Sequence, residues 1–240
     1  MNPVDFHIAQ FFSSFASQHW RFDSLLYAAA QSYFWKGELL MALFWAAWFR
    51  KRANEAVVQE ALVATLLACV LGLGIGRALV STLPYRARPI DSPAFQYNVP
   101  YPVDRSNAHD WSSFPSDHAI LFVALAAGIY CAWKFAGAIA LAYVAVVVCF
   151  PRLYLGYHYL TDILAGALIG GGIVWLFNRE HIRTQITRLP LRFHHRNPEL
   201  SYAVLFLLSY QIVELFNPVR HILSALRNVV SVLLNHPGVA

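Results

Sequence analysis

Along this chain, apolar residues gather into long runs separated by short stretches rich in arginine, proline and glycine. A helix needs roughly 20 mostly apolar residues to cross a bilayer. Runs near that length cover about Tyr33 to Phe49, Ala56 to Leu83, Pro115 to Phe135, Ala136 to Phe150, Tyr159 to Phe177 and Leu200 to Phe216. They predict an all-α, polytopic membrane protein of about six transmembrane helices. Residues 3 to 31 are aromatic and amphipathic, with His19, Trp20, Arg21 and Asp23 in the middle, and predict one or two helices lying along the membrane surface. At the other end Val219, Ile222, Leu223, Leu226, Val229, Val230 and Leu233 recur at helical spacing, which predicts an amphipathic tail helix. The chain reads as one domain over residues 1–240, with a core at about 30–178 and the sixth span and tail at 197–240.

Composition supports this pattern: 58% of residues are hydrophobic and 13% are charged, against about a quarter charged in a soluble domain. No cleavable signal is expected, since the first stretch lacks a basic start and Asp5, His7 and Gln10 interrupt it. The net charge of +5 comes from cations in flanking loops, so nucleic acid is not an expected partner. Cys69, Cys131 and Cys149 sit in apolar runs without ligand-like spacing and read as small buried hydrophobes.

Charge also sets the orientation. Arg50-Lys51-Arg52 follows the first span, and Arg179, Arg183, Arg188, Arg192 and Arg196 follow the fifth with one acid, Glu180. Both clusters read as cytoplasmic, and the four spans between them agree with that. His194 and His195 in the second cluster read as solvated loop histidines. The polar stretch from Pro84 to Ser116 and the turn from Arg152 to His158 therefore meet on the opposite face.

Some polar residues lie inside the apolar runs. Lys36 and Glu38 must sit near the start of the first span. Arg77 interrupts the second and either snorkels or serves a polar site. Gly72 and Gly76, and Gly166, Gly170, Gly171 and Gly172, predict close helix packing.

Three segments converge on the outer face: Arg86-Ala87-Arg88-Pro89, Pro115-Ser116-Asp117-His118, and Arg152 through His158 to Asp162. Asp162 follows His158 by four residues, so on a helix it shares a face with the histidine and can accept one ring N–H. The other ring nitrogen is then free to attack phosphorus. Arg88 and Arg152 suit nonbridging phosphate oxygens, with Ser116 and two helix N-termini adding donors. His118 would protonate the leaving oxygen and later activate water. There is no evident carboxylate cluster for Mg²⁺, so neither metal nor cofactor is expected.

These residues resemble the type-2 phosphatidic acid phosphatase superfamily of membrane lipid phosphatases, whose pattern is Lys-x6-Arg-Pro, Pro-Ser-Gly-His and Ser-Arg-x5-His-x3-Asp. This chain has Arg88-Pro89, Pro115-Ser116-Asp117-His118 and Arg152-x5-His158-x3-Asp162. The resemblance implies a six-helix fold, His158 as nucleophile and a phosphohistidine intermediate. The family lysine falls on Ser81, its glycine on Asp117 and its serine on Pro151. Arg77, one turn before Ser81, and Arg86 are the candidates to replace the lysine. Asp117 and the amphipathic N-terminal segment resemble undecaprenyl-diphosphate phosphatases of the bacitracin-resistance type.

The resemblance implies a metal-independent phosphatase that hydrolyses polyprenyl diphosphate to the monophosphate at the outer face of a bacterial inner membrane. Phosphatidylglycerophosphate, phosphatidate and lipid A phosphates are the alternative substrates, and transfer to another lipid the alternative reaction. A second phosphate needs further cations, for which Arg86 and Arg105 are available. Asp117 is expected to pair with one of them and orient it.

Overall fold

The computed structural model describes residues 2–51, 54–93, 95–104 and 111–235, and within them only the backbone of 223 and 228–235. Arg52 of the first basic cluster and Arg105 lie outside the described residues. Among the described residues the regular elements are all helices. Two short helices, α1 (Pro3–Phe15) and α2 (Trp20–Gln31), precede a π-helical turn at Phe34–Glu38 that runs directly into α3 (Leu39–Trp48). The long α4 (Glu55–Thr82) and α5 (Asp117–Ala132) follow, joined by a loop with a 3₁₀ turn at Pro89–Asp91. Next come α6 (Lys134–Tyr143), a second π-helical segment (Val144–Cys149), α7 (Phe150–Tyr154), α8 (Leu160–Phe177), α9 (Glu180–Arg196), α10 (Pro198–Val213) and α11 (Asn217–Asn235).

The bundle is organised around α5. Ile120, Leu121, Phe122, Leu125 and Ile129 are fully buried, so this helix is enclosed all round by its neighbours. α4 and α8 press closest against it. The glycines on α8 allow this. A Cβ on Gly170 would stand 2.1 Å from the carbonyl oxygen of Ile120, and one on Gly166 would stand 2.6 Å from that of Ser116. Small residues let helix backbones approach where a side chain would hold them apart.

Three helices are long and apolar enough to cross a membrane: α4, the continuous Lys134–Tyr154 helix containing α6 and α7, and α8. α10 and the first part of α11 reach that length only together, and they are bent by 85° at their junction. The apolar α5 has 16 residues and α3 has 10. Of the six spans expected, three thus meet the length and composition of a crossing among the described residues. The other expected spans form shorter helices: the helix from Phe34 to Trp48, π turn included, stops at Phe49, and α5 is bounded by extended residues at Ser116 and Trp133.

The segment expected as a basic loop after the fifth span is a helix, α9. His194 is buried there rather than solvated, with Nδ1 3.0 Å from the hydroxyl of Ser201. Its ring meets Trp48 and Tyr202 edge-on. Both amphipathic terminal segments form helices, as α1 with α2 and as α11.

Candidate active site

The three motif segments meet where α5 and α8 begin. Ser116 precedes α5 with extended backbone, and its N–H donates to the carbonyl of Asp162 at 3.1 Å, tying the two helix starts together. Helix N-termini leave backbone N–H groups free and carry positive partial charge. The loop after α4 is held across them. The N–H of Ser113 donates to the carbonyl of Arg86 at 2.9 Å, and that of Ile90 to the carbonyl of Gly156 at 3.0 Å. Gly156 has φ +71°, a conformation that side chains disfavour, and this lets the chain turn from α7 back to His158.

A cavity of about 540 Å³ opens at this place. Of the residues singled out in the sequence, Arg77, Arg88, Asp117, His118, Arg152 and His158 line it. Arg86, Ser116 and Asp162 do not. His158 and Arg152 are both buried, and the turn between them is closed by the backbone N–H groups of Tyr157 and His158, which both donate to the carbonyl of Arg152, at 3.0 and 3.2 Å. The Nε of Arg88, the Oγ of Ser116 and one carboxylate oxygen of Asp117 are buried without a hydrogen-bond partner among the described residues. Such orphans are uncommon, and the first two are donors that a phosphate oxygen could accept from.

The support of His158 differs from the sequence expectation. Its Nδ1 lies 2.8 Å from the carbonyl oxygen of Ser113 and 3.8 Å from the Asp162 carboxylate. A carbonyl only accepts, so Nδ1 carries the hydrogen and Nε2 keeps its lone pair. Burial pulls the imidazole below its ordinary pKa, against the opposing pull of Asp162, so the ring is held neutral.

Asp162 instead anchors a buried network. One carboxylate oxygen accepts from Arg86 at 2.5 Å, and the other from the backbone N–H of Tyr159 at 2.8 Å. Arg86 also donates to Thr161 at 2.9 Å and, through its other terminal nitrogen, to Asp5 at 2.5 Å. Asp5, from α1, further accepts from the backbone N–H of Thr161 at 3.1 Å. Burial opposes ionisation of Asp5, but the donors from Thr161 and Arg86 outweigh it and hold the carboxyl below its usual pKa. With both ends of its guanidinium engaged, Arg86 is a structural partner of Asp162, which accounts for its absence from the cavity wall.

Arg77 has a specific reason to lie inside α4: its guanidinium pairs with Asp117. Asp117 thus pairs with Arg77 and not with Arg86, while the expected alternative, Arg105, lies outside the described residues. Arg77 stands 5.3 Å and Arg220 of α11 stands 5.6 Å from the ring centre of Trp111, so two cations flank one indole at the cavity wall. Arg220, His221 and Lys36 also line the cavity, and the motif patterns gave no sign of them. Among the described residues no group of three His, Cys, Asp or Glu side chains is placed to hold a metal ion.

The family model described as the PAP2 superfamily matches residues 61–184. The chain belongs to this superfamily of phosphatases, and its apolar helices are those of a membrane protein. It is similar to the bacitracin transport permease protein BcrC of Bacillus licheniformis, at 26% identity over 161 residues that cover 67% of this chain and 72% of the relative. No solved structure matches it.

Proposed function

We propose that the protein hydrolyses a polyprenyl diphosphate, undecaprenyl diphosphate above all, to its monophosphate at the outer face of a bacterial inner membrane. The observation that carries this reading is the hydrogen bond from His158 Nδ1 to Ser113, which leaves Nε2 as the unprotonated nucleophile in a cavity it shares with Arg88, Arg152 and His118. Nε2 attacks the terminal phosphorus, the bond to the bridging oxygen breaks, and His118 supplies the proton to the departing prenyl phosphate. A water that gives its proton to His118 then attacks the phosphohistidine, releasing inorganic phosphate and restoring both rings. Arg88, Arg152 and the start of α5 stabilise the charge that builds on the three nonbridging oxygens.

The diphosphate is favoured over a monophosphate because the cavity holds cations in excess of one phosphoryl group. Arg220 stands beside Trp111 on its wall, in addition to Arg88 and Arg152. Orientation rests on the basic clusters at Arg50 and along α9, which favour the cytoplasm. The name of the Bacillus relative denotes transport. The two cavity histidines support hydrolysis here, since moving a lipid phosphate requires cations but no nucleophile.

The test is phosphate release by purified protein from undecaprenyl diphosphate, undecaprenyl phosphate, phosphatidate and phosphatidylglycerol phosphate at matched surface concentration, with and without an acceptor lipid. The expected result is the highest kcat/KM for the diphosphate and an acid-labile phosphoryl group on His158. A higher kcat/KM for a glycerolipid removes the diphosphatase assignment, and phosphate found on the acceptor converts the hydrolase into a transferase.

A further inference from the structure

Lys36 is an uncommon residue for its position. It sits in the π-helical turn Phe34–Glu38 and is only 6% exposed, yet it lines the cavity with Arg88, Arg152, His118 and His158. A π turn accommodates an extra residue and so rotates the side chains on either side out of helical register. The second π segment, Val144–Cys149, packs against the first and runs directly into the helix that carries Arg152. The hydroxyl of Tyr143 donates to the carbonyl of Trp35 at 2.6 Å and pins the two together. Two distorted turns in contact thus each deliver a buried cation to one cavity. Gly37 makes room for this, since a Cβ there would stand 3.0 Å from the Phe122 ring and 3.1 Å from Val213.

Among the described residues of the cavity wall the cations Lys36, Arg77, Arg88, Arg152 and Arg220 outnumber the carboxylates Asp91, Asp104 and Asp117. The ammonium stands 4.2 Å from the Tyr33 ring centre, and among the described residues no carboxylate is in ion-pair contact with it. Glu214 acts on it only at longer range, and Arg152 repels it. Gathering Lys36, Arg88 and Arg152 around one space is unfavourable unless an anion joins them. Arg86 and Arg77 cannot take this role, being engaged by Asp5 with Asp162 and by Asp117. Ser81 is exposed, and its hydroxyl donates to the carbonyl of Ala78.

We propose that the Lys36 ammonium is a direct ligand of the reacting phosphoryl group, completing with Arg88 and Arg152 a three-cation cradle for its nonbridging oxygens. This rests on the phosphatase reading above, and it adds a residue from outside the three motifs. One charge-assisted hydrogen bond lost from such a cradle corresponds to a loss of roughly 10- to 100-fold in affinity.

The test measures orthovanadate binding by calorimetry on detergent-purified wild type, Lys36→Met, Lys36→Gln, Lys36→Arg and Arg152→Ala, alongside phosphate release from undecaprenyl diphosphate. The neutral variants should bind vanadate roughly 10- to 100-fold more weakly, and Lys36→Arg should recover part of the loss. In wild type, vanadate should protect Lys36 from acetylation by acetic anhydride, read by mass spectrometry, which requires no variant to fold. Neutral variants within twofold of wild type while Arg152→Ala fails to bind, or acetylation of Lys36 at an unchanged rate, would overturn the proposal. Wild type that binds vanadate in a Lys36-dependent way but releases phosphate from no lipid would sink the phosphatase reading and leave Lys36 as an oxyanion ligand. Wild type that does not bind vanadate removes both.

Discussion

The carboxylates of Asp5 and Asp162 accept opposite ends of one guanidinium, that of Arg86, at 2.5 Å each. Both are fully buried, and they come from the first helix and from the helix that follows the nucleophile. Breaking a buried pair by removing one partner costs on the order of 3 kcal/mol, because the remaining charges stay buried. Asp5→Ala should therefore lower thermal stability by about that amount and reduce kcat. KM should change little, since Asp5 does not line the cavity. Thermal denaturation and steady-state kinetics on the same preparation check it, and a change confined to KM would place α1 in substrate binding instead.

His158 should set the acid limb of the pH–rate profile. Burial lowers its pKa from the usual 6.5, so the ring stays neutral to lower pH than a free imidazole. In the proposed mechanism the neutral form is the nucleophile. Activity should thus persist as pH falls through about 6.5 and be lost only below it. The same shift makes the native state lose stability as pH falls from the unfolded value toward and beyond the folded one. A limb at or above the free-imidazole value in the pH dependence of kcat/KM would contradict the assignment.

His158→Ala should abolish turnover, and Asp162→Asn should cost less. Asparagine keeps an acceptor for the Tyr159 N–H, and the carbonyl of Ser113 still holds the His158 ring. His118→Ala should slow monophosphate hydrolysis by about 10²- to 10⁴-fold, the usual worth of a general acid. The effect on a diphosphate should be smaller, because a phosphate leaving group needs less protonation than an alkoxide. Equal losses on both substrates would show that leaving-group protonation is not the role of His118.

Arg77 and Asp117 should behave as a unit. Arg77→Ala alone strands the Asp117 carboxylate, and Asp117→Gly alone strands the guanidinium, so each should be more harmful than the pair of changes together. A double-mutant cycle on stability and kcat/KM measures the coupling. Additive effects would mean that the two act separately, with Arg77 serving substrate alone.

Gly170→Ala should fail to accumulate as folded protein. Its Cβ would meet the Ile120 carbonyl oxygen at 2.1 Å, a backbone atom that cannot step aside. Gly172→Ala is the control, since nothing lies within 4 Å of its Cβ. Detergent-solution size-exclusion profiles of the two variants separate these outcomes.

Much of the site was legible because its chemistry is concentrated in three short patterns. Arg88, His118, Arg152 and His158 stand around one cavity as their spacing suggested. The rest was hidden for identifiable reasons. Ser113 acts through its backbone carbonyl, which every residue possesses, so no residue type could announce it. Asp5 was visible as a polar interruption in an aromatic stretch, but its partners Arg86 and Thr161 lie 81 and 156 positions away. Lys36 looked like a residue at the edge of a span, and only the π-helical turn rotates it inward. In the fold, apolar periodicity located the helices. It did not show where α3 and α5 end, since the cap at Phe49 and the extended residues at Ser116 and Trp133 carry no hydropathy signal.

The network on Asp5 also bears on the order in which the molecule is assembled. Asp5 leaves the ribosome well ahead of Arg86 and Thr161, which follow 81 and 156 positions later. A carboxylate without partners is driven out of an apolar interior, so α1 has no stable seat until α8 has been made. Helix α1 is then made before its partners and docks after them. Because its docking fixes the Arg86 that holds Asp162, the proposed hydrolytic centre stays unfinished in a half-inserted chain.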